Sequence, residues 1–285
     1  MWGSIHRRGL LAAVAATVAA PALITPAWAR APGVIVRGRD GAVVDYYERL
    51  RGRIGDAGGG RFLPEAEDAL LGEHNQFRAD QRLGGLQRHV ALNAAARAHA
   101  ADMIERDYFA HEAPEGYSSV QRVGLLARSF VGLAGENIVE IRGGPPASAA
   151  ELAGLWRDSP GHRANMLRSS YSHIGFGVVR KGDRTVAAAA FGEAYAELPA
   201  PVAFRIGGLA GIGQTLGGNG AQGSPVRGFA LDPVEGGRQL GPFWLDDPVP
   251  QIAMAGAYSI KPYLADASEH GRFIIVDGPI IEAEG

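Results

Sequence analysis

The chain has 285 residues, 46% of them hydrophobic and 20% charged, with a formal net charge of −2. That composition supports one or two domains with a buried core and gives no electrostatic footprint for nucleic acid. The chain contains no cysteine, which excludes a thiol nucleophile, a thiolate-ligated zinc and disulfide staples, so the fold must hold by core burial alone.

Residues 1–29 read as a signal peptide. Arg7 and Arg8 precede an apolar run over 9–20, and Ala27 and Ala29 bracket Trp28 in a cleavage pattern. The run is shorter than the roughly 20 residues a membrane span needs, so no permanent span is expected. Paired arginines suit either a Sec or a twin-arginine address. The expectation is export to the periplasm or the extracellular space. Residues 30–64 read as a linker or N-terminal extension, ending in a flexible break at the glycine-rich stretch 55–60.

A helix is predicted from Pro64-Glu65, because proline suits a first helical turn and early acids suit the helix dipole. Leu70, Leu71, His74, Phe77 and Arg78 recur at helical spacing until Gly84-Gly85 stop the pattern. An alanine-rich helix follows over 92–106, and a short one over 118–127. Ser148 with Glu151 three residues on has capping-box spacing and starts a helix that Ser159-Pro160 breaks. Residues 162–168 turn helically again. Two strands, 174–180 and 185–191, are joined by Lys181-Gly182-Asp183 as a hairpin. Helices covering an antiparallel sheet is the architecture this order suggests.

Beyond Pro199-Ala200-Pro201 the composition changes. Residues 207–223 are rich in glycine, and short apolar runs follow around Phe229, Phe243-Trp244, Tyr258 and Phe273. Residues 201–285 therefore read as a glycine-rich linker and a small β-rich appendage, with Phe243, Trp244, Tyr258 and Tyr263 as exposed-looking aromatics.

Histidines are the natural candidates for chemistry near neutral pH. His74 and His99 fall inside amphipathic helices and read as core-edge residues, as does His173 before its strand, while His89 and His270 have loop-like surroundings. His111 and His162 stand apart. His111 follows Tyr108-Phe109-Ala110, and His162 follows Ser159-Pro160-Gly161 with its ring expected to reach the surface. Loops carried by a scaffold are where binding groups concentrate. Glu136, between Gly135 and Asn137, could fix an imidazole tautomer or accept a proton.

Several blocks then occur in a telling order. They are His74-Asn75 with Arg78; Tyr108-Phe109-Ala110-His111; Gly135-Glu136-Asn137-Ile138; Trp156 with Ser159-Pro160-Gly161-His162-Arg163 and Asn165-Met166-Leu167; and Tyr171 with Ile174-Gly175 and Gly177-Val178. The set resembles bacterial members of the CAP superfamily (cysteine-rich secretory, antigen 5, pathogenesis-related), over 65–200. The resemblance implies an α+β fold, a three-layer α-β-α sandwich, with a cleft holding His111, His162 and Glu136. One departure is Ser159, which stands where eukaryotic members commonly carry a second glutamate; this weakens a two-acid mechanism.

The resemblance leaves three readings. The first is a binding module in which His111, Glu136, His162 and Ser159 line a cleft for a small hydrophobic or cell-envelope ligand, with His111 and His162 weakly holding Zn²⁺. The second is a metal-assisted hydrolase or protease with Glu136 as the candidate catalytic base, although no nucleophile elbow or His-Glu-x-x-His helix is present. In the third, the residues brace the fold and the appendage recognises the partner.

Overall fold

The computed structural model describes residues 15–17, 42–216, 226–248, 250, 252, 254–266 and 272–284. The remainder of the signal segment, His270 and the end of the glycine-rich stretch lie outside them.

In chain order the first elements are β1 (Ala15–Thr17), α1 (Ala42–Arg53), β2 (Arg61–Phe62), α2 (Pro64–Asp80), β3 (Gln87–Arg88), α3 (Val90–Glu105) and α4 (Ser119–Leu126). They continue with β4 (Phe130–Arg142), α5 (Ala149–Asp158), α6 (Pro160–Met166), β5 (His173–Lys181) and β6 (Arg184–Glu197). The first sheet runs β1-β4-β6-β5-β2, with β3 also on β5. Its central strands pair antiparallel, β4 with β6 and β6 with β5.

Alternation along the strands creates the layers. Val139, Phe176, Val178, Ala187 and Ala189 face a core shared with Leu70 of α2 and Leu152 and Trp156 of α5. Ile138, Val179, Val186, Ala188 and Ala190 face the opposite core, built on Leu92, Ala95, Ala96 and Met103 of α3. This is the three-layer α-β-α sandwich. Glycines on β5 set how closely α3 approaches: a Cβ at Gly175 would lie 2.1 Å from the Asn93 nitrogen, and one at Gly177 2.4 Å from the Arg97 Cα. Bare strand backbone lets an alanine-rich helix lie directly on it.

Local signals act as expected at several ends. Pro64 occupies the first turn of α2 with Glu65 and Glu67 behind it, and Ser148 and Glu151 form a reciprocal capping box on α5. A second capping box joins Ser118 and Gln121 on α4. Asn75 and Arg78 knit α2 to its surroundings, Asn75 by pairing with both backbone groups of Leu86, and Arg78 by donating to the carbonyls of Gly84, Met166 and Arg168.

One expectation needs correction. The segment 30–64 is not all linker, because it contains α1, whose Val43, Tyr46 and Leu50 are buried against Ala98, Tyr117 and Leu125. His89 lies in the short link between β3 and α3, as its loop-like surroundings suggested. Its ring caps the start of α3, accepting from the Leu92 amide at 3.4 Å.

The C-terminal part comprises β7 (Arg205–Ile206), α7 (Leu209–Leu216), β8 (Val226–Pro233), β9 (Leu240–Trp244), β10 (Gly256–Ala265), β11 (Phe273–Ile275) and β12 (Ile280–Ala283). Part of the glycine-rich stretch read as linker is thus helix α7. The second sheet runs β7-β12-β10-β8-β9, with β11 on β10. Val131 and Ala196 of the first sheet enter its core, and half-buried Arg128 ties the halves by donating to the carbonyls of Gly124, Val202 and Ile280. The aromatics Phe243, Trp244, Tyr258 and Tyr263 are half-buried rather than exposed; the exposed ring is that of Phe273. Among the described residues, no helix is long and apolar enough to cross a membrane.

Candidate functional site

The edge of β4 organises the site. Among the described residues β1 pairs with that edge opposite Glu140–Arg142, and α6 lies along the stretch before it. Asn137 donates its side-chain N–H to the His162 carbonyl at 3.0 Å, and Asn165 donates to the Glu136 carbonyl at 3.1 Å. Those amides pin the start of α6 to the strand. From the other helical layer, the loop after α3 brings His111 over the same edge. The rings of His111 and His162 are thereby 6.5 Å apart, centroid to centroid, and inclined at 47°.

Glu136 sits between these layers and is 3% exposed. His111 donates from Nδ1 to its Oε1 at 2.9 Å, and Arg122 donates from Nη2 to its Oε2 at 2.9 Å. Arg122 also donates to the His111 carbonyl and to the Tyr46 hydroxyl oxygen, so one buried guanidinium holds the carboxylate, the histidine's backbone and α1 together. His99 stands behind, its Nε2 at 3.7 Å from Glu136 Oε1 and donating to the Ala110 carbonyl at 3.1 Å. Tyr108 donates to Asp102 at 2.7 Å beside it.

The electrostatics follow from that packing. Burial alone would raise the Glu136 carboxyl, but Arg122, His99 and His111 outweigh it and lower its pKa to about 2. A carboxylate so held is ionised at neutral pH and orients the His111 ring. Burial lowers His162 to about 4, with the neighbouring His111 adding to the effect. His162 is therefore neutral at neutral pH. It is 0% exposed, which corrects the expectation of a ring reaching the surface. Neither of its ring nitrogens has a hydrogen-bond partner among the described residues.

Ser159 closes α5 and precedes α6 without a side-chain cap bond, and its hydroxyl makes no hydrogen bond to the His162 ring. It serves the chain reversal between the helices. His74 is a core residue, donating to the Leu70 carbonyl and packing on Trp156 and Phe176. Sequence reasoning missed His99, Arg122 and Tyr46 as neighbours of the site. An arginine in a short helix reads as solvated, and Tyr46 fell in the presumed linker.

Residues 71–192 match the model of the CAP, or cysteine-rich secretory protein, family. The chain is 35% identical over 108 residues to the protein YkwD of Bacillus subtilis (strain 168), covering 38% of this chain and 40% of that one. It is 33% identical over 118 residues to the membrane protein YlbC of the same organism, covering 41% of this chain and 32% of that one. Among solved structures it is similar to an outer surface protein from Borrelia burgdorferi, with 19% identity and a TM-score of 0.42, over 47% of this chain and 98% of that one. The chain thus spans less than half the length of these two curated relatives.

Proposed function

We propose that this chain, which carries a domain of the CAP family over residues 71–192, is an exported ligand-binding protein whose recognition site is the His111–His162 pair. The carrying observation is the His162 ring, fully buried with both nitrogens unpartnered among the described residues. Leaving such polar atoms unsatisfied costs about 1–3 kcal/mol, and a bound polar group relieves that cost. The ligand is a small hydrophobic or cell-envelope compound whose polar end meets the two imidazoles. Glu136 positions His111 through its Nδ1, and Arg122 keeps Glu136 ionised.

The donor set suits a weakly held divalent cation. Among the described residues no group of three or more His, Asp or Glu side chains is placed to hold a metal, so of these residues His111 and His162 would be the ligands. Zn²⁺ bound by them would act as a Lewis acid towards a ligand oxygen. The hydrolase reading is the weaker one. A general base works best with a pKa near the working pH, and a carboxyl lowered to about 2 has little proton affinity there.

Isothermal titration of the metal-stripped protein with ZnCl₂ tests the site. The expected result is saturable heat in the wild type that disappears in His162→Ala. An identical isotherm in both proteins, or none in either, contradicts the cation part of the reading.

A further inference from the structure

A concavity lies in the C-terminal part. It is a cavity of about 580 Å³ between α7 and the β8–β9 edge, and its lining includes Phe229, Phe243, Trp244, Pro242, Gln214 and Asp247. That volume is in the range of small-molecule sites, and the mixture of aromatic floor and few polar groups is their usual make-up.

The aromatic floor is held in place. Phe243 packs on buried Phe229 at 5.4 Å, and Trp244 is backed by Tyr263 at 5.8 Å and Phe273 at 5.1 Å. Ring faces fixed by such neighbours lose little freedom when a ligand settles on them. The polar groups sit at the mouth, where Gln214 and Asp247 are exposed. Among the described lining residues Asp247 is the one charged side chain, and no lysine or arginine is present. An anionic ligand would meet repulsion there with nothing to offset it. A sugar ring matches both parts, with an apolar C–H face for the aromatic rings and a hydroxyl edge for a carboxylate and an amide.

We propose that this cavity is a carbohydrate site for a neutral oligosaccharide of hexose or N-acetylhexosamine units. Its rings stack on the aromatic part of the lining, its hydroxyls donate to Asp247, and Gln214 exchanges hydrogen bonds with the same edge. Such a site would let the appendage hold the protein on a glycan while the histidine pair meets a separate ligand.

The test is calorimetric titration of the full chain with N-acetylglucosamine tetramer and with cellotetraose. Truncating Trp244 would disturb its packing on Tyr263 and Phe273, so the exposed Asp247 and Gln214 are the positions to change. Saturable binding of either sugar, weakened about tenfold or more in Asp247→Ala and in Gln214→Ala and unchanged in His162→Ala, is the expected result. Tenfold is the ordinary effect of losing one good polar contact. The proposal is overturned by no saturable heat with either sugar, or by binding that both rim variants leave unaltered. Saturable binding of decaproline or dodecanoate in place of the sugars likewise overturns it.

Discussion

His74 and His99 are both wholly buried inside helices, and in each case burial lowers the pKa, to about 4 for His74 and about 3 for His99. The unfolded chain takes up a proton on each near pH 6.5, whereas the folded chain does not until the pH approaches those lower values. Stability from this source is therefore complete above pH 6.5 and is lost as pH falls towards 4. One such imidazole contributes a slope of about 1.4 kcal/mol per pH unit across that window. In His74→Gln the fall in stability between pH 6.5 and pH 5, followed by urea denaturation, should be shallower than in the wild type by about that slope. Equal slopes would show that His74 binds its proton normally in the folded state. His74 was legible from the sequence as a core histidine because its neighbours at helical spacing are apolar. His99 looked the same, and its approach to Glu136 was not legible. That contact joins α3 to β4 through helix phase and strand register together, which no local pattern encodes. His111, Glu136 and His162 were legible only as members of an ordered set of motifs; singly, each has an ordinary reading.

Helices and strands were the more legible scale, since their signals are local. Pro64, the Ser148–Glu151 pair and the Lys181-Gly182-Asp183 turn each mark an element boundary that the structure keeps. α1 was not legible, because glycine-rich flanks made the segment look like a linker, and only its contacts with Ala98, Tyr117 and Leu125 give it a buried face. Glycine itself carries opposite meanings in different elements. At Gly177 a methyl group would strike the backbone of α3, with Arg97 Cα at 2.4 Å. At Gly154, inside α5, the nearest atom is 3.9 Å away. Gly177→Ala should thus lower stability by about 1–3 kcal/mol or more through overpacking. Gly154→Ala should raise it by about 0.5–1 kcal/mol through helix propensity. The denaturation midpoints of the two variants are expected to move in opposite directions. Movement in the same direction would refute close packing of α3 on β5 as the reason for glycine at 177.

At the scale of the whole molecule, two sheets share a boundary in which Val131 and Ala196 pass from one core into the other and Arg128 gathers carbonyls from both sides. Helices covering an antiparallel sheet followed from the order of elements, whereas the three-layer sandwich was implied by the family resemblance. The second sheet was legible only as a tendency towards strands, because turn-separated apolar runs fix neither strand order nor partners. It is the sandwich that makes the histidine site. The loop after α3 and α6 belong to opposite helical layers, and they meet at the stretch of β4 around Glu136. Two imidazoles far apart in the chain thereby lie with ring centroids 6.5 Å apart, with Glu136 setting the orientation of the first. A zinc-soaked crystal examined by anomalous diffraction at the zinc edge addresses this most directly. The account predicts a peak between the rings of His111 and His162 that is absent from crystals of His162→Ala. Density confined to other side chains, or two rings turned away from each other, would contradict it.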